Sequence, residues 1–394
     1  MLIGELLRLP ATRAPDKPAF IGESFSLTFA EADRMANRIA NALLAAGLGE
    51  GGQVGILSTN TPYYAVMHFA AARAGAVLTH FSYRMTEHEM TVLARRIGVT
   101  ALIVDPLLLQ RALVVTRELG DIRLVVVAGG AGEADEAVSL DDFVADFDAA
   151  PPAARLTEDS HLAVTFTGGT TRVAKAVLSS HADRRASALG AMVEFGVDER
   201  DVVCCAAPLF HAAGLFVWFQ MAVGLGCTSV LVPTWNPATF PAICRRERIT
   251  ALFAVPTQLN GLFLQKNVDL ADLATLRKVN FAGAPMPPAL FERLCRMLPE
   301  IDFTEHYGQS EFCPISVRRQ WHHSDKGASV GRAAFNAEVA ILGGDGRALP
   351  AGQSGEVAVR GDGMMVEYVG EPEETARCMR GDGWLYTGDI GVLD

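Results

Sequence analysis

Val54-Gly55-Ile56-Leu57, then a helix-period stretch from Tyr64 to Ala74, then Ala101-Leu102-Ile103-Val104, is the run that decides the fold. Each short apolar block bounded by turn residues reads as a strand buried on both faces, and the longer block between them reads as a helix. Upstream, Thr28 and Glu31 make a capping box ahead of a helix that carries Met35, Ile39, Leu43 and Leu44 at helical spacing, and Gly47 marks its end. Strand and helix in repeated alternation predict a parallel sheet covered on both faces.

Working outward, Leu124 to Val127 is a further strand, and the glycines of Ala128-Gly129-Gly130-Ala131-Gly132-Glu133 are followed by acidic residues and prolines instead of a helix. That segment reads as a surface connection rather than a dinucleotide fingerprint. The polar, Ala- and Pro-rich passage from Glu133 to Pro152 is the expected boundary. A second alternating block from His161 to about Val330 holds the strands Asp201 to Cys205, Cys227 to Val232, Ala251 to Val255 and one ending Phe281-Ala282-Gly283, with a helix from about Phe216. Beyond Gly331 come short strands, Val339 to Leu342 and Glu356 to Arg360, around the turn Gly343-Gly344-Asp345-Gly346. The pattern predicts an α/β fold of two doubly wound α/β subdomains, residues 1–152 and 153–330, plus a small antiparallel β unit over 331–394.

With 394 residues and 50% apolar content the chain can bury several cores. A net charge of -11 disfavours nucleic acid as a partner. The first residues, Met1 to Arg8, carry no leader pattern, and no apolar run approaches a membrane span, so a cytoplasmic protein is expected. The seven cysteines show no C-x-x-C pair and read as buried apolar residues.

Phe166-Thr167-Gly168-Gly169-Thr170-Thr171-Arg172-Val173-Ala174-Lys175 places backbone N–H groups, hydroxyls and one ammonium together, the donor set a polyphosphate needs. It lacks both the Gly-Lys-Ser/Thr ending and the Gly-x-Gly-x-x-Gly pattern, which leaves a different nucleotide-binding class. This loop is followed in order by Pro208-Leu209-Phe210-His211-Ala212-Ala213-Gly214, Phe281-Ala282-Gly283-Ala284-Pro285, Tyr307-Gly308-Gln309-Ser310-Glu311 and Trp384-Leu385-Tyr386-Thr387-Gly388-Asp389. The series resembles the adenylate-forming superfamily of acyl- and aryl-CoA synthetases, peptide-synthetase adenylation domains and luciferases.

The resemblance implies αβαβα layers with a small β-barrel-like unit. It also implies a reaction in which a carboxylate attacks the α-phosphorus of Mg-ATP, giving an acyl-adenylate and pyrophosphate, before a thiol such as CoA displaces AMP. Catalytic roles fall to Lys175, His211 and Glu311. Thr167, Gly168, Gly169, Thr170, Thr171 and Lys175 would hold phosphates, with Glu311 and Thr170 on Mg. Gly283, Ala284, Pro285, His306, Tyr307, Gly308, Gln309, Ser310 and Asp389 would bind the nucleotide, Tyr307 by stacking and Asp389 through the ribose hydroxyls. His211, Phe216, Val255, Phe281, Ala282, Gly283 and Gly308 would line an apolar slot for the acid. From Pro208 to Trp218 there is no carboxylate to meet an α-ammonium group, so an uncharged acyl tail is expected, aromatic or medium-chain by likeness to chlorobenzoate- and coumarate-type ligases. A homodimer stays open.

The chain departs from the family in two places. Gly168, Arg172, Ala174 and Ala176 stand where relatives have serine, glycine, proline and glycine, so slower adenylation is expected; restoring those residues should speed pyrophosphate release. Arg172 either adds a cation or strains a backbone that glycine tolerated. The chain also ends soon after Asp389, before the expected mobile C-terminal domain with its catalytic lysine, so this polypeptide is expected to bind ATP and acid with little thioester formation. Loading of a carrier protein and a non-catalytic binding module are the alternatives.

Overall fold

The computed structural model describes residues 1–130, 136–167, 174–264, 269–319 and 329–394. Its core is five layers, αβαβα. One sheet has the strand order 367–368, 176–180, 161–166, 77–80, 53–57, 101–104, 124–127, 138–139. The other runs 332–333, 312–319, 302–309, 278–281, 251–254, 202–205, 228–231, 18–21, 26–28. Helices Phe29–Ala45, Pro62–Ala74 and His181–Glu194 lie between the sheets, where Phe29, Ile39, Phe69, Ala188 and Trp218 share one core with inward residues of both. Helices Glu87–Ile97 and Leu109–Leu119 cover the outer face of the first sheet, and Phe240–Glu247 and Pro288–Met297 that of the second.

Local chemistry explains the elements that sequence exposed. Thr28 Oγ1 accepts from Glu31 N at 3.2 Å and Glu31 Oε2 accepts from Thr28 N at 2.8 Å, which fixes the start of Phe29–Ala45 and contributes about 1 kcal/mol. Gly47, at φ +71, turns the chain out of it. The strands are parallel in the middle of each sheet, but antiparallel pairs close the edges, as between 161–166 and 176–180 and between 302–309 and 312–319. Among the described residues no helix is long and apolar enough to cross a membrane.

Sheet membership crosses the expected boundaries. Strands 161–166, 176–180 and 367–368 complete the first sheet, while 18–21 and 26–28 edge the second. The passage before 152 is strapped to a helix instead of linking two bodies: Asn37 Nδ2 donates to Ala149 O at 3.0 Å, Arg38 Nε to Phe147 O at 2.9 Å and Asn41 Nδ2 to Ala150 O at 3.0 Å. These bonds satisfy loop carbonyls that would otherwise need water. Its first residues, 133–135, lie outside the described residues. The terminal β unit is an open antiparallel sheet of Glu338–Leu342, Ser354–Arg360 and Leu385–Val392, not a closed barrel among the described residues.

Candidate active site

Successive parallel strands of the second sheet deliver the site from their carboxyl ends, where open α/β sheets form their ligand crevices. Val202–Cys205 leads to His211, Ala251–Ala254 to Val255, and Lys278–Phe281 to Gly283, Ala284 and Pro285, which are exposed at the edge. Asp302–Gln309 ends in the hairpin that carries Tyr307 to Glu311. Gly283 has φ +83, a conformation that favours glycine, and a Cβ there would stand 3.5 Å from Val255 Cγ1.

The hairpin turn is two residues long, Ser310 and Glu311, because Gln309 pairs with Phe312. Glu311 is only 6% exposed. Its Oε1 accepts from the Tyr368 hydroxyl at 2.5 Å. Tyr368 is placed there by its strand, in which Tyr368 pairs with Val177 and Val369 N donates to Ala176 O at 2.8 Å. Burial first, then the Glu311 charge, push the Tyr368 hydroxyl far above its ordinary pKa, so it stays a donor.

The same strand, Ala176–Ser180, begins beside Lys175, and Thr167 N donates to Lys175 O at 3.1 Å to close the neck of the loop. Lys175 Nζ lies 4.7 Å from the Tyr368 ring centroid and 2.8 Å from Glu374 Oε2. Lys175, Tyr368 and Glu311 therefore form one chain of contacts from a loop cation to a buried carboxylate. Gly168, Gly169, Thr170, Thr171 and Arg172, the predicted phosphate donors and the altered position beside them, lie outside the described residues.

A second cluster sits on the same hairpin. The Tyr307 hydroxyl donates to Asp389 Oδ2 at 2.6 Å, and Gln309 Nε2 donates to Asp389 Oδ2 and to Thr387 O, both at 2.9 Å. Gly388, at φ +76, turns Asp389 toward them. The exposed carboxylate keeps its other oxygen for a ligand diol. Burial and then Asp389 raise the Tyr307 pKa, so the phenol stays protonated.

Other predicted residues sit differently. His211 has exposed surface, but its ring leans at a tilt on Phe210 with centroids 4.5 Å apart; desolvation of that packed ring and then Arg84 lower its pKa to about 4, which leaves a neutral imidazole at pH 7. The His306 ring is buried between Phe195 and Phe253, at 5.1 and 5.7 Å, and its Nδ1 meets Asn280 Oδ1 at 2.8 Å. Phe216 and Phe281 face opposite sides of the second sheet, one in the central core and one in the outer core with Ala254 and Val279. The period of two along Lys278–Phe281 puts Phe281 on the outer face with Val279, whereas Phe216, from the helical segment Ala213–Phe219, packs in the central core. Ala282 is buried at the strand end. Gly308 is required by its own hairpin, since a Cβ would lie 2.6 Å from Cys313 Sγ.

Tyr368, Glu374 and Arg184 were not singled out by the sequence. Arg184 Nη2 donates to Ser310 O at 3.2 Å and so holds the turn before Glu311. Their signal was weak, because a two-residue strand and a lone buried arginine have no local pattern.

Among the described residues no cluster of three or more metal-ligating side chains is present. One buried carboxylate suits Mg, which is commonly held by one or two carboxylates together with substrate phosphates and waters.

The AMP-binding enzyme family matches residues 7–369. Feruloyl-CoA synthase of Amycolatopsis sp is 33% identical over 388 residues, covering 98% of this chain and 74% of that protein. Fatty acid–[acyl-carrier-protein] ligase ScoC of Streptomyces coeruleorubidus is 30% identical over 397 residues, covering 98% and 73%. The inhibitor-bound N-terminal domain of FACL13 from Mycobacterium tuberculosis superposes with a TM-score of 0.88 at 27% identity, covering 100% of this chain and 97% of that one. With a family match across most of its length and a relative above 30% identity, the chain belongs to the AMP-binding enzyme family.

Proposed function

We propose that the chain is the adenylating part of an ATP-dependent carboxylate-CoA ligase that takes an apolar, aromatic acid. The observation that carries this reading is that three sheets bring their residues together around the Tyr307–Glu311 hairpin: Lys175 reaches Glu311 through Tyr368, and Tyr307 and Gln309 reach Asp389. Likeness to a feruloyl-CoA synthase supports the aromatic acid.

In this reading Asp389 and Gln309 hold the ribose and Tyr307 covers the adenine beside Gly283 to Pro285. The acid's carboxylate oxygen attacks the α-phosphorus, its bond to the bridging oxygen breaks, and pyrophosphate leaves toward Lys175. Negative charge then grows where an ammonium already stands, so little reorganisation is needed. Mg, held by Glu311 and Thr170 with the phosphates, would neutralise part of that charge. Neutral His211 at the rim admits the carboxylate without a competing cation. A thiol then displaces AMP from the acyl-adenylate.

Acid-dependent exchange of labelled pyrophosphate into ATP tests the reading. Hydroxycinnamic and benzoic acids should give at least about tenfold more exchange than saturated acids of equal length, and a flat ranking would refute the aromatic assignment. Similarity to a ligase that acts on an acyl-carrier protein favours one second reading, transfer to a carrier thiol. Thioester formation compared with CoA and with a pantetheinylated carrier separates the two.

A further inference from the structure

Glu374 occupies the position at Lys175 that the proposed function reserves for a phosphate. Its Oε2 stands 2.8 Å from Lys175 Nζ, and its Oε1 stands 2.6 Å from Arg377 Nη1. The two cations differ in setting: the Lys175 side chain is 24% exposed, the Arg377 side chain 69%. One carboxylate is thus shared between an inner cation, Lys175, and an outer, more exposed one, Arg377.

The backbone beneath Glu374 is anchored. Thr375 Oγ1 accepts from Tyr368 N at 3.0 Å and donates to Glu371 O at 3.0 Å, and Glu371 is paired with Arg96 on helix Glu87–Ile97. Release of Lys175 therefore needs only rotation of one side chain. After that rotation the carboxylate keeps Arg377, so no charge is left buried and unpaired.

We propose that Glu374 is an internal phosphate mimic: it holds Lys175 over the Tyr368 ring in the nucleotide-free protein, yields it to the β- and γ-phosphates of ATP, and takes it back as pyrophosphate leaves. The inference rests on the reading of Lys175 as the phosphate cation. Its chemistry is competition between two anions for one ammonium. Ligands that reach Lys175 are weakened by Glu374, and ligands that stop at the α-phosphate are not. The same competition lowers the affinity for pyrophosphate and so favours its departure.

The test is a set of dissociation constants for MgATP, pyrophosphate and AMP, measured calorimetrically on the wild type, Glu374→Gln, Lys175→Met and the double variant. Glu374→Gln keeps shape and removes charge, and is expected to tighten MgATP and pyrophosphate about three- to tenfold, the range for a partly exposed ion pair, while AMP stays unchanged. In the Lys175→Met background the same substitution should do nothing. Glu374→Asp, which retains the charge on a shorter arm, should fall between.

Unchanged or weaker MgATP binding in Glu374→Gln, or an equal shift in AMP, overturns the mimic. If Lys175→Met weakens MgATP relative to AMP while Glu374→Gln is silent, the mimic alone falls and the phosphate reading of Lys175 stands. If Lys175→Met leaves the ratio of MgATP to AMP affinity untouched, both fall.

Discussion

Replacing Lys175 by alanine is expected to lower acid-dependent pyrophosphate exchange by about two to three orders of magnitude, the usual cost of removing one preorganised charge-stabilising group. The expectation follows from where the ammonium stands. It emerges from the hairpin of 161–166 and 176–180, is braced against the Tyr368 ring at 4.7 Å, and is linked through Tyr368 to the Glu311 carboxylate. In the proposed function, charge that develops on departing pyrophosphate oxygens meets this ammonium. In the proposed function the ribose and adenine are held by a separate cluster, Tyr307, Gln309 and Asp389, so AMP binding should change little. Stability should change little as well, because Lys175 and Glu374 are both partly solvated and such pairs contribute on the order of 1 kcal/mol or less. Lysine to arginine should rescue only in part, since a planar fork does not replace a compact ammonium. Exchange rates, AMP affinity and melting temperature together check the claim. A loss shared equally by AMP binding would show that Lys175 supports the pocket and not the leaving group.

What could be read from the chain in advance depended on how local the cause was. The capping box at Thr28 and Glu31 and the strands Ala101–Val104 and Leu124–Val127 follow from short-range chemistry, and they stand where the pattern put them. Tyr307 to Glu311 was singled out by its resemblance to a family motif and not by local chemistry, and the structure folds it as a compact hairpin. That Phe281 packs in the outer core and Phe216 in the central one was not legible, because composition alone does not give strand register, and a single-residue step selects the other face. Sheet membership does not follow the expected boundary near 152 for a tertiary reason, since the antiparallel partner at 176–180 joins the sheet that holds strand 53–57. Tyr368 and Glu374 reach the site only because a two-residue strand pairs with 176–180. Nothing near them in sequence encodes that pairing.

Arg184→Met is expected to destabilise the protein by about 3–5 kcal/mol, the cost of stripping one partner from a buried ion pair. Arg184 and Asp183 have side chains 0% and 3% exposed, and Arg184 Nε lies 2.5 Å from Asp183 Oδ1. The guanidinium also sits 4.8 Å from the Phe216 ring, in the core between the sheets. Asp183 cannot turn away to water, because its Oδ2 accepts from Ser180 N at 2.6 Å and Ser180 Oγ at 2.9 Å to cap helix His181–Glu194. Burial already raises the Asp183 pKa, opposed by Arg184 and the Ser180 bonds, and loss of Arg184 removes the strongest opposing influence. The pH dependence then has a definite sign. A carboxyl whose folded pKa lies above its unfolded value binds more protons in the native state, so stability falls as pH climbs through that interval. The deficit of Arg184→Met should be smaller at pH 5 than at pH 8, and Asp183→Asn added to it should restore much of the loss by removing the stranded charge. Denaturant midpoints at the two pH values decide the matter. A deficit below about 1 kcal/mol, or one equal at both pH values, would mean that Asp183 does not depend on Arg184 for its charge. The variant also loses the Nη2 bond to Ser310 O, so a raised KM for ATP is expected even at temperatures where it is fully folded.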